Sequence, residues 1–186
     1  MSLDHLFAGW RMAYVSSVGA EAAYGPQDEE GTKQATKAAL GNFAKEECVF
    51  CSILAAPVPD EEKLLVWKGE SVVAMLNAFP YASGHVMVMP LRHVRELEEL
   101  HENEAAELWA SVHRAVAVLK VTYEPEGLNI GLNIGRAAGA GIPGHLHVHV
   151  VPRWLGDTNF MTAAASVRVL PEALADSWKR LHEGWS

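Results

Sequence analysis

Residues 145–151 read His-Leu-His-Val-His-Val-Val, so three of the nine histidines of this 186-residue chain stand on alternate positions. A strand sends successive side chains to opposite faces. On a strand, His145, His147 and His149 therefore share one face, and Leu146, Val148 and Val150 share the other. Such a row fills a core poorly, because each buried ring needs a polar partner. Three readings fit it. The rings are surface residues of an edge strand. They are a three-histidine metal site, since neutral imidazole is the commonest metal ligand. Or an uncharged imidazole attacks phosphorus while neighbouring donors hold the phosphate oxygens, the chemistry of phosphoryl or nucleotidyl transfer. The segment just before the row, "GRAAGAGIPG" (135–144), holds Gly135, Gly139, Gly141 and Gly144. Glycines let backbone N–H groups approach an anion closely, so loop and histidines together favour phosphate chemistry over either feature alone.

A second set of reactive side chains lies far upstream, in Cys48-Val49-Phe50-Cys51. A C-x-x-C of this kind is a redox pair, half of a zinc site, or a coincidence of two apolar cysteines. No thioredoxin-like βαβ pattern surrounds it, which makes redox the weakest of the three.

The elements that must position these residues follow from periodicity. "LLVWK" (64–68) and "SVVAMLN" (71–77) flank Gly69-Glu70 as a hairpin, and "HVMVMP" (85–90) reads as a strand stopped by Pro90. Residues 103–120 change period: Ala105, Leu108, Trp109, Val112, Val116 and Leu119 form the stripe of an amphipathic helix. "GLNIGLNIG" (127–135) and "HLHVHVV" (145–151) alternate again, and Pro171 opens a last helix with Leu174, Trp178 and Leu181 inward. Strands, one crossing helix, then strands predict an α+β antiparallel sheet. Residues 1–47 differ in texture. They read as an extension, partly helical or mobile, with Leu6, Phe7, Trp10 and Tyr14 on one side of a short helix, ahead of a domain over 48–186.

With 49% hydrophobic residues the chain has material for a sizeable core. A formal net charge of −8 argues against a nucleic-acid surface and leaves room for a small anion held by local donors. No apolar run approaches the roughly 20 residues of a membrane helix, so no membrane partner is expected. The opening "MSLDHLFAGW" lacks a basic stretch followed by an apolar one, so no signal peptide is expected. Two cysteines make no disulfide framework, and the expected location is the cytoplasm.

At His145–Val151 the sequence resembles the histidine triad (HIT) superfamily, whose signature alternates histidine with apolar residues in this way. "CVFC" (48–51), "VVAMLNAFPYASGHVMVMPLRHV" (72–94) and "HVVPRW" (149–154) also resemble family segments, in the family's order. The run "WLGDTNFMTAAASVRVLPEAL" (154–174) resembles the bacterial branch that holds diadenosine tetraphosphate phosphorylases. The resemblance implies a HIT-like sheet of about five strands with a long helix and a C-terminal helix. It implies a nucleotide substrate and His147 as the nucleophile toward an α-phosphorus, through a nucleotidyl-histidine. His149 supports the reaction on the same face. Asn77, Asn133, His145 and the backbone of Gly139 and Gly141 would line the substrate. It further implies a structural zinc held by Cys48, Cys51, His93 and His145, no organic cofactor, and a two-fold homodimer. The stripe with Leu108, Trp109, Val112 and Val116 suits that dimer contact, and equally suits packing within one chain.

The chain departs from the family pattern once. Many members carry Gln or Ser four residues before the first triad histidine, where this chain has Gly141. Asn77 has a plainer role open to it, closing the turn at its strand end. Asn129 and His85 read as structural. At this stage the acceptor, water or phosphate, is open. So are a phosphoramidase, a metallohydrolase with the triad as ligands, and a nucleotide-binding regulatory module of low turnover, which the absence of a side chain at position 141 keeps open.

Overall fold

The β-branched runs and the period switch build an antiparallel sheet with both faces covered. The computed structural model describes residues 48–157 and 171–185, all within one compact unit. A short helix α1 (Val49–Ala55) leads into β1 (Leu65–Lys68), β2 (Val72–Leu76) and β3 (Val86–Pro90). The long helix α2 (Glu102–Tyr123) follows, then β4 (Gly127–Leu132), β5 (Val148–Arg153) and the C-terminal helix α3 (Leu174–Trp185). The five strands lie in the order β1-β2-β3-β5-β4, every neighbour antiparallel. The α+β antiparallel architecture expected from the sequence is the one observed.

Period two assigns the residues of each strand to two cores. Val72, Ala74, Leu76, Val86, Val88, Val148 and Val150 pack with Leu108, Val112, Ala115 and Leu119 of α2 and with Leu181 and Trp185 of α3. The alternate residues Val73, Met75, Met87 and Met89 face the other way and pack with Cys48 and Phe50 at the start of α1. All of β2 and β3 is buried for this reason. The imidazole row shares the second face, so the helices own one side of the sheet and the chemistry the other.

Two devices hold the frame. Glu107 on α2 accepts the backbone N–H groups of Glu70 (2.8 Å) and Ser71 (2.9 Å), closing the β1–β2 turn. A Cβ on Gly69 would stand 2.1 Å from the Glu107 carboxylate and 2.5 Å from the Trp67 ring, so only glycine fits there. In the β1–β2 ladder the register slips between Leu65 and Trp67, and among the described residues the other edge of β1 has no strand beside it. There α3 covers the exposed carbonyls: Trp178 Nε1–H donates to Leu65 O (2.8 Å) and the His182 Nδ1–H to Val66 O (2.9 Å). An edge so covered is no template for another strand.

Several boundaries differ from the periodicity reading. The β5 ladder begins at Val148, not at His145, because the preceding residues bond elsewhere: Leu146 N–H donates to Val94 O (2.7 Å). β4 ends at Leu132, ahead of the glycine-rich loop. The last helix starts at Leu174 rather than Pro171. Ahead of it, Glu172 accepts from Tyr123, Ser177 and Arg180. Trp109 is 49% exposed: the buried stripe of α2 runs through Leu108, Ser111, Val112 and Ala115, and Trp109 lies beside it. No helix among the described residues is long and apolar enough to cross a membrane. The helix expected around Leu6–Tyr14 lies outside the described residues.

Between β3 and α2 an ion pair ties the loop that carries His93. The Arg92 guanidinium donates to Glu104 from Nε (2.9 Å) and from its terminal nitrogen (2.6 Å), and Glu104 is 6% exposed. That bonding holds the Glu104 carboxyl down to about 2, from an ordinary 4.5. A depressed carboxyl stabilises the fold above its unfolded pKa, and the effect disappears as pH falls through the folded value. Glu104→Gln is therefore expected to lower the urea midpoint at neutral pH. The gap to wild type should close as pH falls from about 5 toward about 2. A gap independent of pH contradicts this assignment.

Candidate active site

The three histidines of the row do different things, and their hydrogen bonds say which. A carbonyl oxygen only accepts, so a ring nitrogen facing one must carry the proton. His147 Nδ1 lies 2.7 Å from His145 O. Nδ1 is the donor, and Nε2 keeps its lone pair. His147 is 5% exposed, with the edge of the Phe50 ring 5.2 Å away centre to centre. Burial holds its pKa below the ordinary imidazole value. The result is a neutral ring of one tautomer with an unprotonated Nε2.

His149 is fixed by a relay from the β2–β3 connection. Tyr81 N–H donates to His85 Nδ1 (3.1 Å), so His85 carries its proton on Nε2. His85 Nε2 stands 3.0 Å from His149 Nδ1, which must then accept. His149 is left with Nε2–H as its donor. Burial, then the neighbouring His147, pushes His149 down to about 4. His147 and His149 meet edge to face with centres 4.8 Å apart. One ring presents a lone pair and its neighbour a proton.

His145 turns to the cysteines. Its Nε2–H donates to Pro90 O (2.8 Å), which leaves Nδ1 unprotonated, 3.4 Å from Cys48 Sγ and 3.6 Å from Cys51 Sγ. His93 Nδ1 lies 3.4 Å from Cys51 Sγ. The four ligand atoms of Cys48, Cys51, His93 and His145 all lie within 4.8 Å of one another. Around a tetrahedral zinc, with bonds of about 2.3 Å to sulfur and about 2.0 Å to nitrogen, neighbouring ligand atoms stand about 3.4–3.8 Å apart. The donor set and its spacing fit such an ion. The N-cap and first turn of α1 supply the two thiols, and the Leu146–Val94 backbone bond brings the two histidine-bearing segments side by side. Burial pushes the His145 ring down to about 4, the neutral form a metal requires.

The remaining expected site residues divide. Asn77 closes its own turn, its Oδ1 accepting Phe79 N–H (2.9 Å), while its amide nitrogen lies 3.5 Å from His85 Nδ1. Asn133 follows the end of β4, half-buried, with no side-chain bond among the described residues. Asn129 accepts from Arg153 (2.8 Å). In the glycine-rich loop, Gly139 sits at φ +87°, a left-handed conformation that favours glycine. Its N–H, expected to face phosphate, donates instead to Arg136 O (2.9 Å), because residues 136–138 form a 3-10 turn. Ala140 N–H likewise bonds back to Gly135 O (3.4 Å). The amides not so engaged begin at Gly141. A Cβ added at Gly141 meets open space, so nothing steric enforces glycine there.

Periodicity missed two participants. His85, read as structural, is the direct partner of His149. Tyr81 covers both, its ring 4.7 Å from that of His85 and 5.9 Å from that of His149. The short spacing Tyr81-x-x-x-His85 was the available signal, and it acquires meaning only when β3 is paired to β5.

The HIT domain profile matches residues 59–154. The chain is 48% identical over 127 residues to the AP-4-A phosphorylase of Mycobacterium tuberculosis, a match covering 68% of this chain and 65% of that relative. Its fold resembles a hypothetical histidine triad nucleotide-binding protein from Sulfolobus tokodaii, with TM-score 0.60, 31% identity, and coverage of 74% of this chain and 91% of that one. It also resembles a Zn-bound histidine triad family protein from Mycobacterium smegmatis, with TM-score 0.61, 27% identity, and coverage of 76% and 95%.

Proposed function

The chain belongs to the HIT domain family, and from that premise we propose that it is a nucleotidyl hydrolase or transferase acting at the α-phosphorus of dinucleoside polyphosphates such as diadenosine tetraphosphate. The observation that carries this reading is the bond from His147 Nδ1 to His145 O, which leaves Nε2 as a lone pair on a neutral ring. The 48% identity to an AP-4-A phosphorylase supports the substrate class.

In the first step His147 Nε2 attacks the α-phosphorus and forms a P–N bond. The bond to the bridging oxygen breaks, and its electron pair leaves with the polyphosphate as an anion. His149 Nε2–H donates to that oxygen as its charge grows, and His145 O stabilises the cationic phosphorylated ring through Nδ1–H. In the second step an oxygen of water or inorganic phosphate attacks phosphorus, the P–N bond breaks, and its electrons return to Nε2. Water yields AMP and releases a proton to solvent; phosphate yields ADP. Loop amides from Gly141 onward supply donors for the non-bridging oxygens. Between acceptors, the named relative favours phosphate. The open space at Gly141 is where a Gln or Ser would otherwise reach the leaving group.

The same reading gives Cys48, Cys51, His93 and His145 a structural zinc. Such an ion would tie α1, the loop after β3 and the segment leading into β5 together.

Two measurements test this. Diadenosine tetraphosphate is expected to give ATP plus ADP only when inorganic phosphate is present, with intact mass of quenched enzyme showing one AMP adduct. His147→Ala should lose the adduct and about a thousandfold or more in kcat. Full turnover by His147→Ala removes the mechanism. For the metal, the purified chain is expected to carry about one zinc per chain. Chelation or Cys48→Ser should lower the melting temperature by about 5 °C or more. An unchanged melting temperature in a chain without zinc removes that part of the reading.

A further inference from the structure

The geometry points to the ring of Tyr81 as a positioning group for His149, lying over it and over its partner His85 and so aiming the His149 Nε2–H at the leaving oxygen. This deepens the reading above and rests on it for the identity of the reaction.

Two independent features of one residue converge here. The backbone N–H of Tyr81 donates to His85 Nδ1, with the Asn77 amide nitrogen 3.5 Å from the same atom, so His85 carries its proton on Nε2. The protonated Nε2 then decides the tautomer of His149. The Tyr81 ring meanwhile lies over both imidazoles, 29° from parallel to His149 and 40° from His85. Its 51% exposure marks a roof with one face on the histidines and one toward solvent. Asn77 anchors the same turn through Phe79 N–H, and Pro80 stiffens it, so the roof stands on a defined backbone.

The groups facing His149 are few. His147 adjoins it just ahead of β5, and His85 and Tyr81 approach from the β2–β3 connection. Its cross-strand partners, Met87 on β3 and Gly131 on β4, carry no titrating group. Removing the Tyr81 ring hydrates His149 and releases its torsion. The main-chain bond to His85 survives such a truncation, so the ring's part is separable from the relay's.

The experiment compares Tyr81→Ala and Tyr81→Phe with the wild-type chain in two ways. Imidazole ¹⁵N–¹H spectra follow the titration of His149 without any turnover. Steady-state rates are read on adenosine 5′-phosphoryl esters with good and poor leaving groups. The expected result is a His149 midpoint in Tyr81→Ala raised from about 4 toward the ordinary imidazole value, with Tyr81→Phe close to wild type. On the poor leaving group kcat should fall about tenfold or more in Tyr81→Ala, with little change on the good one, and Tyr81→Phe should restore it. An unmoved His149 midpoint together with a loss equal for both leaving groups overturns the proposal. So does Tyr81→Phe as impaired as Tyr81→Ala, which would assign the effect to the hydroxyl. A shifted midpoint in a chain that cleaves no nucleotide supports the positioning role and sinks the reaction assigned above, so the two failures are distinct.

Discussion

One hydrogen bond governs the chemistry of this fold. His147 Nδ1–H is held by the carbonyl of His145, two residues earlier in the segment that leads into β5. Without that acceptor a buried imidazole interconverts between tautomers, and part of the population blocks its own lone pair with a proton. With it, the ring has a single protonation pattern, and burial keeps the ring uncharged. The two adjoining imidazoles are disciplined by the same rule. Pro90 O selects the proton on His145, and the Tyr81 amide, through His85, selects the proton on His149. Three rings of one residue type thus acquire three proton patterns: a lone pair toward the thiols on His145, a bare Nε2 on His147 and an Nε2–H donor on His149.

The sheet makes this possible because each face has its own cover. One side is closed by α2 and α3 over valine and leucine side chains. On the other, among the described residues, α1 with its Phe50 packs over the sheet, and the imidazole row lies there. The Cys48–Cys51–His93–His145 cluster sits at the end of that row, and His145 belongs to both sites. Its ring faces the thiols while its carbonyl faces His147. Whatever fixes the ring of His145 also fixes the acceptor that sets the nucleophile. The Arg92–Glu104 pair anchors the loop bearing His93 from the α2 side, extending this coupling into the frame.

Much of the frame was legible in the residues. The hairpin around Gly69, the strand ending at Pro90, the long helix and the sidedness of the histidines all follow from period and punctuation. The glycine-rich loop and the C-x-x-C were visible as segments, but their joining to His93 and His145 came from family resemblance, since no periodicity links positions 97 residues apart. Trp109 was misplaced because helical spacing admits a wide stripe, and only packing against β2, β3 and β5 decides its edge. Gly139 was expected as an anion donor because composition cannot show that a 3-10 turn has already engaged its N–H. Tyr81 escaped notice, and His85 was read as structural without its contact to His149, for a related reason. Their partners lie across a strand pairing, and a lone histidine before a strand carries no local mark of its function.

The most direct measurement of the central claim is the tautomer of His147 in the resting protein, read from the ¹⁵N shifts and couplings of its ring at neutral pH. The account predicts a neutral ring with Nδ1 protonated and Nε2 bare. A ring protonated on Nε2, or an imidazolium, would mean that the His145 carbonyl does not set the nucleophile, and the chemistry built on it would not stand.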